Sequence, residues 1–390
     1  MTNETLKTEY QDLTQHEIAA LKYEYNLADA HTHQSQSPSQ EEIIQRLPEI
    51  WHEAENRKQH ELEQRFIHEF FRVQKQEGAL HPDNALLVYA SSIAMVITAN
   101  YLMKKKMSVA LLEPCFDNIH DILSHMSVPM EPLKEGWLHD TSTIYETLCN
   151  NVQADALFIV DPNNPTGFTL FAKTHGEEAY KELIRFAKDK NKLLIFDYCF
   201  APFIPVNEDT GLFDIYQLLE ESKVSYIAYE DTGKTWPIQD TKAAIIKCST
   251  DIYEEIYNIH TSYLLNVSPF ILNLLTQYIL DSEKDNFASV YTLLDRNREI
   301  AKRELNGDLL EFQEPSCKVS VAWFKIKNPA ITATYLQRVV LETGVYILPG
   351  TYFFWSNPEQ GESFIRIALA RNTDMFEPAV KLIRQVIDTL

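Results

Sequence analysis

From residue 85 onward, short apolar runs alternate with longer amphipathic stretches. The runs are ALLVYA (85–90), SVALLEP (108–114), ALFIVDP (156–162), KLLIFDY (192–198) and VSYIAYED (224–231). Between them lie SIAMVITANYLMKK, FDNIHDILSHM and EEAYKELIRFAKD, whose apolar positions recur at helical spacing. Continuous apolar runs predict strands buried on both faces, and the helices between them predict a parallel sheet. The chemistry of such sheets gathers at the C-terminal strand ends. Ser91, Ser92, Asn164, Asp197 and Lys234 all fall there. Ahead of this block, EEIIQRLPEIWHEAENRKQHELEQRFIHEFFRVQKQ reads as helix with a break near Pro48. The polar stretch HTHQSQSPSQ (31–40) sets the N-terminus apart as an arm. From about residue 285 the pattern changes to the half-buried strands VSVAWFKIK (319–327) and GVYILPG (344–350), then SFIRIALA (363–370) and a last helix. The expected class is α/β: a large domain with a mostly parallel sheet and helices on both faces, plus a smaller α+β C-terminal domain. The expected boundaries are arm 1–45, large domain 46–285 and small domain 286–390.

Composition narrows the functions this fold could carry. The chain has 390 residues, 45% of them apolar, enough for a substantial core. A net charge of −21 excludes nucleic acid as a partner, because phosphate binding needs a basic face. No apolar run reaches the roughly 18 residues of a membrane span, and the opening MTNETLKTEYQDL is too polar and acidic for a signal or transit peptide. A cytoplasmic protein is expected. The cysteines Cys115, Cys149, Cys199, Cys248 and Cys317 are scattered without a CxxC pair, which fits reduced thiols. His31 and His33 lack a thiolate partner, so no metal site is expected.

Five pieces stand in order as candidate chemistry. Ser91 and Ser92 mark a strand-to-helix turn, where free N–H groups and hydroxyls can cradle a phosphate. VDPNNPTG (160–167) is a sharp turn bearing Asn164. Asp197 ends an apolar strand, where an unpaired carboxylate is costly and a ring N–H⁺ would be a suitable partner. Lys234 follows the run VSYIAY and a glycine in YEDTGKTWPIQDTKAAI (229–245). Arg366 lies inside the apolar strand FIRIALA, where a guanidinium needs a carboxylate.

Over residues 50–390 this order and spacing resembles the fold-type I pyridoxal-phosphate enzymes of the class I/II aminotransferase kind. The resemblance makes Lys234 the lysine that forms an imine with the cofactor aldehyde, and makes Asp197 the carboxylate that keeps the pyridine nitrogen protonated. It assigns Asn164 to the phenolate oxygen, Ser91 and Ser92 to the phosphate, and Arg366 to the substrate carboxylate. Lys242 stands where the family usually has a phosphate-binding arginine, and Phe116, in EPCFD, is placed to stack on the ring. A homodimer is implied.

Two departures from aminotransferases stand out. Phe200 replaces the tyrosine usual three residues after the pyridine aspartate, and Asp231 replaces the serine usual three residues before the lysine. These features, with EDTGKTWP and the arm segment NLADAH, resemble the pyridoxal-phosphate- and O2-dependent L-arginine oxidases. Those are the hydroxylases and desaturases of natural-product pathways, of the enduracididine-pathway type. In that family the arm covers the site. The resemblance gives Glu17 and Asp29 to the substrate guanidinium and His31 to acid/base chemistry, with Phe200 and Phe116 walling the cofactor. Thr14-x-x-Glu17 also reads as a helix capping box, which would account for Glu17 without chemistry. The implied reaction is oxidation of L-arginine by O2 to 4-hydroxy-2-ketoarginine, releasing ammonia and hydrogen peroxide, with a dehydro-ketoarginine as the variant. The alternative is an ordinary aminotransferase. A cyclase or lyase acting on a hydroxyarginine would share the guanidinium contacts. A pyridoxal-phosphate-binding transcription factor would need a DNA-binding domain ahead of residue 50, where the chain is short and acidic.

Overall fold

The structure, a computed structural model, describes residues 12–81, 83–171, 176–205 and 213–390. Seven strands form the main sheet: β1 (Ala85–Val88), β2 (Val109–Glu113), β3 (Met130–Lys134), β4 (Ala156–Val160), β5 (Leu193–Asp197), β6 (Tyr226–Asp231) and β7 (Ala244–Cys248). Their spatial order is β1-β7-β6-β5-β4-β2-β3. β7 runs opposite to the other six strands, and its pairings with β1 and β6 are antiparallel while the rest are parallel. Every residue of β2, β4, β5, β6 and β7 is buried, as the continuous apolar runs demand of a sheet with helices on both faces. The exception is β3, MEPLK, which the apolar pattern does not announce. It is one of the sheet's two edges, mostly half-buried, and an edge strand tolerates a polar sequence.

Parallel register aligns the strand ends. Val160 lies opposite Asp197, and Asp197 opposite Tyr229, so the ends of β4, β5 and β6 open on one rim. A second, four-stranded antiparallel sheet contains β8 (Leu310–Gln313), β9 (Val321–Ile326), β10 (Leu348–Pro349) and β11 (Phe364–Ala368), in the order β10-β11-β9-β8. GVYILPG, expected as one strand, is divided. Its first part, Val345–Tyr346, pairs in parallel with Tyr25–Asn26 of the arm.

The expected helical region becomes three helices, Pro38–Gln45, Leu47–Glu55 and Gln59–Val73. The break falls at Arg46, and Pro48 sits in the first turn of the second helix, where its missing N–H costs nothing. The capping box lies at Ser37 and Gln40, not at Thr14 and Glu17. The arm helix Leu13–Ala20 is capped instead by Asp12, whose carboxylate accepts from the Gln15 amide. That leaves Glu17 available for a different contact.

Candidate active site

The lysine turn is built by two close approaches. At the end of β6, Asp231 accepts from the amides of Gly233 (2.6 Å) and Ser91 (2.8 Å), tying the turn to the N-terminus of helix Ser91–Lys105. A Cβ on Gly233 would lie 2.7 Å from Lys242 Cδ and 2.9 Å from Asp231 Oδ1, so a side chain there would displace the Lys242 chain from where it crosses. Lys234 and Lys242 consequently face the same space, with the hydroxyl-bearing residues Ser91 and Ser92 at the helix start beside them.

Asp197 closes the same space from the end of β5. One of its oxygens accepts from the Cys199 amide at 2.9 Å, and burial pushes its carboxyl up to about 6. Phe200 is buried next to it, edge-on to Phe203. The Asn164 turn is fixed from several sides. Asp161 accepts from Thr169 and Tyr180, and Glu135 accepts from the side chains of Asn163 and Thr166, both at 2.6 Å. Gly167 ends the turn at φ +66°, with Pro315 packed where a side chain would be.

The arm forms the opposite wall. Arg366, fully buried on β11, donates to Glu17 (2.9 Å), to Asn164 Oδ1 (3.2 Å) and to the Ala28 carbonyl. Arg371 is also buried. It donates to the carbonyls of Asn26, Asp29, His31 and Ala370, fastening the arm backbone to the small sheet. Asp29 accepts from His31 Nδ1 (2.6 Å) and His33 Nε2 (2.7 Å). Burial alone would raise its carboxyl, but these bonds outweigh that and hold it well below the usual range. A carboxylate only accepts, so Nδ1 of His31 donates to Asp29. Its Nε2 lies 3.3 Å from Lys234 Nζ and 3.2 Å from Lys242 Nζ.

The pattern of the family described as aminotransferase class I and II matches residues 24–383. The chain belongs to this family. The structure of MppP soaked with the product 2-ketoarginine is similar to it at 31% identity and a TM-score of 0.83, covering 93% of this chain and 99% of that one. LysN, the α-aminoadipate aminotransferase of Thermus thermophilus, complexed with N-(5'-phosphopyridoxyl)-L-leucine, shares the fold at 14% identity and a TM-score of 0.77, over 97% and 94% of the two chains. Among curated proteins, the LL-diaminopimelate aminotransferase of Maridesulfovibrio salexigens is 24% identical over 233 residues, 59% of this chain and 56% of that protein. The aspartate aminotransferase of Thermotoga maritima is 22% identical over 238 residues, 60% of this chain and 56% of that protein. The chain thus spans just over half the length of these two curated relatives. The fold is that of the fold-type I pyridoxal-phosphate enzymes, and pyridoxal phosphate is the cofactor.

As a member of the aminotransferase class I and II family, the chain offers residues that fit this cofactor. The cavity, about 190 Å³, is lined by Lys234, Asp197, Asn164, Ser91, Ser92, Phe116, Phe200, Lys242, Glu17 and His31, ten of the twelve expected site residues. Asp197 is a carboxylate pushed up by burial, and a pyridine N–H⁺ would be a fitting partner for its charged form. The helix start with two serines and Lys242 suits a phosphate.

Arg366 and Asp29 stand behind this lining, Arg366 at the back of Glu17 and Asn164, Asp29 behind His31. Asp29 gives both oxygens to histidines, so it orients His31 where a direct guanidinium contact was expected. Cys199 and Arg371 escaped sequence analysis. Cys199 carries no spacing signal, whereas the arginine in ALAR, just past an apolar strand like Arg366, was a signal to follow.

Among the described residues, Glu17, Asp29 and His31 are the one group whose atoms converge closely enough to hold a metal ion. Its contacts with Arg366 and His33 give that group partners already. No described helix is long and apolar enough to cross a membrane.

Proposed function

We propose that this protein is an O2-dependent oxidase of L-arginine that forms 4-hydroxy-2-ketoarginine, with a dehydro-ketoarginine as the product when water does not add. The observation that carries the reading is His31: an arm histidine fixed by Asp29, with its Nε2 3.3 Å from Lys234 Nζ. Transamination requires no such base from an arm. The likeness to MppP, whose product is 2-ketoarginine, supports a guanidino acid as substrate.

When bound, pyridoxal phosphate supplies an electron sink for the carbanion at the substrate α-carbon. Lys234 would hold the cofactor and, once the substrate amine has taken its place, would move the α-proton as a free amine. Asp197 keeps the ring nitrogen protonated, and Asn164 holds the phenolate oxygen. Ser91, Ser92 and Lys242 hold the phosphate, while Phe116 and Phe200 cover the ring. Arg366 binds the α-carboxylate as a two-pronged donor. Glu17, with Asp29 behind it, faces the guanidinium. His31 takes a proton from the water that adds at Cγ. Four electrons leave the substrate, and two O2 become two hydrogen peroxide; two water molecules enter and ammonia leaves. A cytoplasmic homodimer is part of the reading. The exposed side chains of Met103, Tyr257, Tyr263 and Leu265, on and just after helices Ser91–Lys105 and Thr250–Tyr263, are suited to a second copy.

The test is to mix the pyridoxal-phosphate-loaded protein with L-arginine, without a keto acid, and to follow dissolved oxygen and products by mass spectrometry. Oxygen uptake with a hydroxylated or unsaturated keto acid is the expected result. Turnover only after addition of a keto acid would replace the oxidase with an aminotransferase. That second reading draws on Lys234, Asp197, Asn164 and Arg366, which serve transamination equally, and on the two curated relatives.

A further inference from the structure

Arg366 is expected to receive the substrate carboxylate, yet in this structure a carboxylate of the protein already holds it. Glu17 Oε1 lies 2.9 Å from Arg366 Nη2, and the guanidinium has no exposed surface. Its remaining partners are Asn164 and the Ala28 carbonyl. An incoming carboxylate therefore competes with Glu17 for the same donor.

The surroundings of Glu17 make its displacement selective. One ligand atom each of Glu17, Asp29 and His31 lie within 4.8 Å of one another. Arg366 neutralises Glu17, and the two histidines hold Asp29. If Arg366 turns to a substrate, Glu17 is left beside a second carboxylate in a buried site. That is unfavourable unless the newcomer also brings a cation. A guanidinium can do so, with a planar fork that suits two acids.

We propose that Glu17 is a gate on Arg366: it occupies the carboxylate-binding guanidinium, and it yields only to a ligand that offers Glu17 a cation in exchange. Specificity then comes from a penalty on ligands without a cationic tail, as well as from attraction to those that have one. The gate rests on the reading above, in which Arg366 receives the substrate carboxylate and Glu17 the guanidinium.

Two ligands that lack an amine, and so cannot react with the cofactor, separate the parts. Pentanoate and 5-guanidinopentanoate would be titrated calorimetrically into the pyridoxal-phosphate-loaded wild type and into Glu17→Gln. Removing the charge of Glu17 is expected to tighten pentanoate about tenfold and to weaken 5-guanidinopentanoate by a similar factor. Glu17→Asp, one methylene short of Arg366, is expected to share the gain for pentanoate, which keeps the test available if Glu17→Gln folds poorly. A gain for pentanoate without a loss for 5-guanidinopentanoate overturns the exchange for a cation and leaves Glu17 only a competitor for Arg366. Pentanoate binding that is unchanged or weaker in both variants overturns the gate.

Discussion

Asp197 and Lys234 stand on one side of the cavity, at the ends of strands buried at every position. Glu17, Asp29 and His31 stand on the other side, in an arm with one short helix and a two-residue strand. The first side is positioned by sheet register, which the whole core enforces. The second is positioned by a short strand pairing, by a few buried apolar residues and by two buried arginines donating to arm carbonyls and to Glu17. Cofactor retention and substrate selection should therefore respond to different substitutions. The cofactor side is expected to survive loss of the arm, whereas the arm is held by a small apolar cluster, a two-residue strand pairing and a few charge-assisted bonds.

The largest effect tests the cofactor side alone. Lys234→Ala should lower turnover by about 10⁴-fold or more, because it removes both the covalent handle and the proton carrier. Hydrogen exchange across residues 13–33 should stay near wild type. An arm that opened in this variant would show that the two sides are one unit.

Arg371→Ala tests the opposite side. It leaves buried carbonyls of Asn26, Asp29 and His31 without their donor, at a cost of about 3 kcal/mol or more in arm docking. Exchange at residues 26–31 should rise, while cofactor affinity, read by fluorescence titration of the cofactor-free protein, should change little. Equal losses in both measurements would end the separation.

His31→Ala sits where the sides meet. Hydroxylated product should fall by about 10²-fold, and the unsaturated keto acid should become the main product, seen by mass spectrometry. A variant that hydroxylates as well as wild type would remove His31 from the reaction.

A smaller effect comes from Asp197, whose carboxyl burial pushes up to about 6. Because of that burial, the folded protein keeps this proton up to about pH 6, while the unfolded chain loses it in the ordinary carboxylate range. Its contribution to stability is therefore favourable at low pH and is lost as pH rises towards 6. Cofactor affinity has the opposite sign. Below about pH 6 the proton must leave before Asp197 can accept from a ring N–H⁺, so affinity should fall by up to about tenfold per pH unit. Titrations of the cofactor-free protein at pH 5 and 7.5 compare the two, and Asp197→Asn should flatten the difference. The smallest effect belongs to Phe200→Tyr, which restores the hydroxyl usual in aminotransferases. A shift in the cofactor absorption band with a change below about 1 kcal/mol in its affinity is expected.

The sequence by itself determined the main sheet, because strands buried on both faces must be continuously apolar, and it determined the rim of candidate residues, because such strands end where polar residues begin. Lys234, Asp197, Asn164 and the serine pair were legible on that ground. The edge strand β3 was not, since an edge needs no apolar run. Nor was the division of GVYILPG, which follows from pairing with the arm across more than 300 residues. Only the tertiary structure decided the partners of the buried charges. Thr14 and Glu17 have capping-box spacing, yet Asp12 caps the helix and Glu17 reaches Arg366. Asp29 and His31 are near neighbours in sequence, but what the other ring nitrogen of His31 meets depends on where Lys234 and Lys242 stand. The physical reason is range. Burial pattern is a local property of the chain, whereas a buried charge is satisfied by whichever opposite charge or carbonyl the fold brings within about 3 Å.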